Sequence, residues 1–305
     1  MNNILTDLKT LELETLKNLK NSKSTNTLRA YTSDYRDFTL FCTKNNFNSL
    51  PADPKILALY LTHLSQTSKF STLKRRIASI SVVHRIKGHY IDTKHPLIVE
   101  NLLGIKRKNG SRQNAKKPIL ISDLKLIINV INKQKTKKDR IIRDKALILI
   151  GFAGGFRRSE LVNIEYEDVE FVREGVKILV KRSKTDQSGE GMTKAIPSFH
   201  TTQYCPVLHL RDWMVNKKIK KGKIFLLSDK SVALIIKKYA YLAGLDGDKY
   251  AGHSLRSGFA TSTAESGAEE RNIMAMTGHK TTQMVRRYIK EANLFKNNAL
   301  NKIKI

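Results

Sequence analysis

From Lys106 to Pro118 the chain runs K-R-K-N-G-S-R-Q-N-A-K-K-P, with no apolar side chain larger than Ala115 before the closing proline. Such a stretch cannot bury a core, so it divides the 305 residues into two parts that must each build their own. The boundaries it implies are an N-terminal domain over 1–105, a basic linker over 106–118 and a second domain over 119–305. The length itself favours two domains. The charge of the linker suits it equally to lying along a polyanion and to plain solvation.

The part before the linker has helical periodicity throughout. Leu28, Tyr31, Tyr35, Phe38 and Cys42 recur at three- and four-residue steps, giving one apolar stripe on a helix capped by Thr25 or Asn26. Asp53-Pro54 opens another helix, because proline is tolerated where its missing N–H has no partner anyway. Ile56, Tyr60, Leu61 and Leu64 form its inner face, and a third helix from Ser71 turns Leu73, Ile77, Ile80 and His84 inward. A short fourth follows Pro96. The part after the linker is mixed. Helices are expected over Ser122–Ile131 and Arg140–Phe152, and Val176, Ile178 and Val180 alternate as in a strand. The turn-rich Ser183–Gly191 lets Lys194-Ala195-Ile196-Pro197 pair back as its partner, and helical pattern resumes beyond Pro206. The fold class is therefore mainly α with a small β-sheet.

Lys and Arg number 56 against 27 Asp and Glu, a formal net charge of +29. Neutralising nucleic-acid phosphates releases condensed counterions, so DNA is the economical partner for such a surface, ahead of a basic ribosomal or membrane-surface role. No apolar run is long enough for a membrane span, and Met1-Asn-Asn-Ile-Leu-Thr-Asp lacks the pattern of a secretory leader, so a cytoplasmic location is expected. Cys42 and Cys205 form no C-x-x-C pair and are expected to be reduced, semi-buried thiols. No carboxylate cluster has metal-binding spacing and no phosphate-binding G-x-x-x-x-G-K-[ST] loop occurs, so neither metal nor cofactor is expected.

The C-terminal segment carries the chemistry. It contains His253-Ser254-Leu255-Arg256, Thr277-Gly278-His279-Lys280 and Met284-Val285-Arg286-Arg287-Tyr288. Guanidinium forks match the non-bridging oxygens of a phosphate and stay charged at any working pH. His253 and Arg256, at i and i+3, share a helix face, and imidazole moves protons near neutrality. A phenol ionises only near pH 10, so Tyr288 must be activated to attack. Upstream, Gly155-Phe156-Arg157-Arg158-Ser159-Glu160-Leu161 offers two adjacent arginines that physical argument alone does not separate.

Together these motifs resemble the tyrosine recombinases, or phage-type integrases, over nearly the whole chain. The resemblance implies a helical, SAM-like core-binding domain followed by a mixed α/β catalytic domain. It selects Arg157 from the Arg157–Arg158 pair and assigns Arg157 and Arg256 as phosphate clamps. It makes Tyr288 the nucleophile, His253 the group exchanging a proton with Tyr288 or donating to the phosphate, and His279 a second donor. Lys184, within Arg182-Ser183-Lys184-Thr185 at the tip of the hairpin, becomes the general acid for the leaving 5′ oxygen, with Lys181 and Lys194 as competitors. Glu160 is expected to buttress the site. Ser257 stands where many relatives carry histidine. The implied partner is double-stranded DNA with a specific recombination site, bound by a homo-tetramer across two sites. No accessory arm-binding module is expected ahead of the helical bundle. Leu294, Phe295, Leu300 and Ile303 form an apolar tail that either docks on a neighbouring protomer or packs on its own domain. The motifs look closer to mobile-element integrases than to Xer-like chromosome-dimer resolvases. A type IB topoisomerase and a DNA-binding protein with an idle site are the other readings.

Overall fold

The computed structural model describes residues 8–110, 116–181, 190–292 and 299–303. The chain forms two compact units, Met1–Asn114 and Ala115–Ile305.

The first unit is all helical: α1 (Leu8–Asn21), α2 (Thr25–Lys44), α3 (Pro54–Leu64), α4 (Phe70–Ile86) and α5 (Pro96–Asn109). Ser24, one residue earlier than expected, caps α2 by accepting from Thr27 N–H. Asp53 caps α3 through Lys55 N–H, with Pro54 in the first turn. The core gathers Phe38, Leu57, Leu61, Leu73, Ile80 and Ile98, with Phe38 meeting the edge of Tyr60 at 5.1 Å. Two buried polar side chains here, Asp34 and His84, are well partnered. Asp34, 1% exposed, binds Arg75, Arg76 and Ser79 and so ties α2 to α4. His84 Nδ1 donates to Ile80 O at 2.9 Å while Nε2 accepts from Ala52 N–H at 3.0 Å. Both nitrogens are thereby committed to the neutral ring, and burial holds its pKa below the ordinary histidine value.

The stretch 106–118 is structured at both described ends. Lys106–Asn109 complete α5, because Ile105 buries its side chain while the lysine and arginine stems reach outward from the same helix. At the other end Lys117 N–H donates to Lys249 O and Ile119 N–H to Ser254 O, which fastens this strip to the second unit.

The second unit contains α6 (Ile121–Asn132), α7 (Lys138–Ala153), α8 (Arg158–Val162), a sheet, α9 (Pro206–Asn216), α10 (Asp229–Leu242), α11 (His253–Glu265), α12 (Glu270–Thr277) and α13 (Thr282–Ala292). The sheet is antiparallel in the order β1 (Val169–Phe171), β2 (Gly175–Val180), β3 (Met192–Pro197). Val176 lies opposite Ile196 and Val180 opposite Met192. Helix α7 is the axis of the core: Ala146, Leu147, Ile148, Leu149 and Ile150 are all buried. It packs on α6, α9 and α11, and α11 in turn packs on α12 and α13. Cys42 and Cys205 are free thiols, and both are fully buried rather than half-buried. Leu294 and Phe295 lie outside the described residues; Leu300 and Ile303 are exposed.

Two outcomes follow for the first unit. Replacing Asp34 with alanine strands Arg76 in the interior and should lower stability by about 3 kcal/mol in urea titrations. Because the folded His84 binds its proton less readily than the unfolded one, its contribution is intact above the ordinary histidine pKa and is lost as the pH falls below it. Stability curves of wild type and His84→Gln should therefore differ in slope on the acid side and run parallel above neutrality.

Candidate active site

Helix α7 ends at Gly154-Gly155, and this turn organises the site. Gly155 has φ +55°, and a Cβ there would lie 3.0 Å from Phe259 and 3.2 Å from Thr277, so only glycine fits without displacement. The turn presents its carbonyls to two cations from distant parts of the chain. Gly155 O accepts from Arg256 Nη1 at 3.0 Å, and Gly154 O accepts from Lys194 Nζ at 2.6 Å.

Arg157 follows one residue beyond the turn, after Phe156, and caps α8. Its Nη1 lies 2.5 Å from Glu160 Oε1, its backbone N–H donates to Glu160 Oε2 at 2.9 Å, and its Nη2 reaches Gly278 O at 3.5 Å. Glu160 thus holds both ends of Arg157. Arg158 points elsewhere: its stem covers Gly252, where a Cβ would fall 1.9 Å from Cδ, and its Nη2 pairs with Asp229 at 3.4 Å. The geometry therefore separates two arginines that the sequence left adjacent and equivalent.

Arg256 sits in the first turn of α11, 3% exposed. Its Nη2 is buried with no hydrogen-bond partner among the described residues. A buried guanidinium nitrogen with an open donor is expensive, and the arrangement is what an absent anion would satisfy. Burial, with Arg157 adding repulsion, pulls the Arg256 pKa down to about 10. His253 stands at the start of the same helix with its side chain exposed.

His279 follows the left-handed Gly278 (φ 62°) that ends α12, and the reversal folds its ring back onto Thr277. Nδ1 lies 2.7 Å from Thr277 Oγ1. Burial first, then Arg256, Arg157 and Lys194, depress its pKa to about 4. Tyr288, on α13, is half-buried against the small cluster of Ala260, Ala264, Ile273 and Val285. Its ring centroid is 6.0 Å from that of His279, and Tyr288 also interacts electrostatically with Arg256. One chain thus brings Arg157, Arg256, His279 and Tyr288 together.

The three candidate lysines differ in placement. Lys184 lies outside the described residues. Lys181 is clamped between Glu165 at 2.6 Å and Asp168 at 2.8 Å, which raises its pKa. Lys194 is fully buried, donates also to Met276 O at 2.5 Å, and lies 4.6 Å from the Phe156 ring centroid. Burial lowers its pKa to about 7 against the support of Glu160, with Arg256 and Arg157 adding to the fall. Lys194 and Thr277 are the parts of the site whose roles sequence reasoning missed. Among the described residues no group of His, Cys, Asp or Glu has the arrangement of a metal centre, and no helix is long and apolar enough to cross a membrane.

The second unit is mostly helical with a three-stranded sheet, and it sets arginines from two distant segments near a tyrosine; known proteins resemble it in sequence and fold. The family model described as "Phage integrase family" matches residues 121–294. An integrase/recombinase described as a xerD homolog from Selenomonas ruminantium is 42% identical, covering 96% of this chain and 89% of the relative. The tyrosine recombinase XerC of Staphylococcus aureus is 25% identical over 92% of this chain and 91% of its own. Among solved structures, a lambda integrase (75–356) dimer bound to a COC′ core site superposes with a TM-score of 0.60 at 19% identity, over 96% of this chain and 98% of that one. XerH bound to palindromic difH in a post-cleavage complex gives 0.62 at 17% identity, over 81% and 73%. The chain belongs to the phage integrase family and is a tyrosine recombinase, an enzyme that cleaves and rejoins DNA.

The buried lysine yields a measurable signature. Its folded pKa lies below the unfolded value, so the unfolded chain binds more protons between about pH 7 and the ordinary lysine range. Its contribution should make the wild-type protein grow more stable across that window, and Lys194→Met should flatten the rise in thermal melts taken at successive pH values.

Proposed function

We propose that Tyr288 attacks the scissile phosphate of a specific recombination site, forming a 3′-phosphotyrosyl bond and releasing a 5′-hydroxyl. Because the ester keeps the energy of the broken bond, the 5′-hydroxyl of a partner duplex can attack it in turn without ATP. Arg157 and Arg256 clamp the non-bridging oxygens, where charge builds in the transition state. His253 and His279 supply hydrogen bonds and proton movement around the phosphate. Lys184 protonates the departing 5′ oxygen. In support of Lys184, Lys181 is committed to two carboxylates and Lys194 to two buried carbonyls, which leaves neither free to follow a leaving group. Four protomers on two DNA sites carry out the exchange in pairs, in the cytoplasm, in the service of a mobile element.

The observation that carries this reading is the open Nη2 of Arg256, buried in a site that also holds Arg157, His279 and the Tyr288 ring. A phosphate supplies the missing acceptor and neutralises the crowded cations at once.

The test uses nicked duplexes built from inverted repeats in the DNA flanking the gene. Wild-type protein should give an SDS-resistant adduct, and Tyr288→Phe should give none. Arg157→Ala and Arg256→Ala should each slow adduct formation by about a hundredfold to a thousandfold. An adduct that survives in Tyr288→Phe would falsify the assignment.

A further inference from the structure

His279 is held more narrowly than a phosphate donor requires. Thr277 Oγ1 lies 2.5 Å from Ile273 O and 2.7 Å from His279 Nδ1. A carbonyl oxygen can only accept, so the single hydroxyl hydrogen of Thr277 is spent on Ile273. Toward His279 the same oxygen has only a lone pair to offer, and the bond therefore needs a hydrogen on Nδ1. In the neutral ring that leaves Nε2 bare. Thr277 is fully buried at the end of α12, so water does not compete for this bond. A neutral His279 thus has no Nε2 hydrogen to offer a phosphate, and it must first gain one.

We propose that Thr277 is a positioning residue that fixes this tautomer, so that His279 hydrogen-bonds to the scissile phosphate through Nε2 only once the ring has become an imidazolium. This deepens the reading of Tyr288 as nucleophile and rests on it. The charged and titratable groups facing His279 are Arg256 from α11, Arg157 and Glu160 at α8, Lys194 from β3 and Tyr288 from α13. Burial, and the cations among them, oppose a proton on the ring. A bound phosphate offsets those cations, so the proton affinity of His279 rises when the phosphate binds.

The test has two arms. In the first, full-length protein labelled with ¹⁵N-histidine is examined by long-range ¹H–¹⁵N correlation at neutral pH, with His279→Gln identifying the signals. The expected pattern is a protonated Nδ1 and a bare Nε2 in wild type and Thr277→Ser, shifting toward a protonated Nε2 in Thr277→Val. A protonated Nε2 in the neutral wild-type ring overturns the proposal. In the second, adduct formation is timed across pH on the nicked flanking-DNA duplexes. Thr277→Val, which keeps shape but loses the hydroxyl, should slow by about a hundredfold or more, as a wrong histidine tautomer does elsewhere, with a displaced pH profile. Thr277→Ser should restore both. Equal rates and profiles for wild type and Thr277→Val would sink the tautomer assignment and leave the nucleophile standing. Failure of the wild-type protein to form any adduct would instead sink the nucleophile, and the spectra would still decide the tautomer.

Discussion

The site depends on concentrating positive charge where water is scarce. Arg157, Arg256 and Lys194 converge there with Glu160 as the carboxylate among them, and burial, reinforced by the same field, keeps the His279 ring neutral. Repulsion of this kind in a low-dielectric interior costs several kcal/mol unless each charge is bonded. The protein answers with backbone carbonyls, which accept without adding a counter-charge. Gly154 O, Gly155 O, Met276 O and Gly278 O each take a donor from one of the cations. Arg157 is paired with Glu160, whereas Arg256 and Lys194 are oriented by carbonyls alone. On the proposed function, that is the sense in which the fold is preorganised for a phosphate gaining charge.

This explains why parts of the site were legible in the sequence and others were not. The side chains proposed as catalytic are presented by local devices: an i, i+3 pair on one helix turn, a left-handed glycine before His279, a tyrosine on the following helix. Local devices leave local motifs. The bonds that orient them join residues far apart, Gly155 to Arg256 and Gly154 to Lys194 to Met276, so no spacing rule announces them. Arg157 and Arg158 are the sharpest case. They differ only in what surrounds them, Glu160 and Gly278 for one and Gly252 and Asp229 for the other.

The fold divides in the same way. Alternation over Val176–Val180 and the three- and four-residue stripes of α2 to α4 named their elements, because each buries one face. Strand β1 spans Val169–Phe171, too short for alternation to register. Helix α5 extended through Lys106–Asn109 because helical hydrogen bonding does not require apolar side chains once Ile98 and Ile105 are anchored. Composition marked that segment as unable to form a core, which is true, but it can still prolong a helix whose core contacts lie behind it.

Lys194 shows why the carbonyl arrangement takes a hydrogen-bond donor instead of an apolar plug. Met276 lies in the last turn of α12, where carbonyls lack intrahelical partners and carry the negative end of the peptide dipoles. Gly154 O lies at the end of α7, in the same situation. An apolar side chain of equal length would fill the space and leave both oxygens unsatisfied in the interior. A glutamine would bring a carbonyl oxygen of its own into a place that already holds two acceptors. A lysine reaching in from β3 serves both helix ends at once, and its bonds fix the Gly154-Gly155 turn against the end of α12. The Lys194 bonds and the bond from Arg157 Nη2 to Gly278 O together tie the Arg157 segment to the turn that carries His279. On the proposed function, a site that holds two reacting oxygens in line on one phosphorus gains from that coupling.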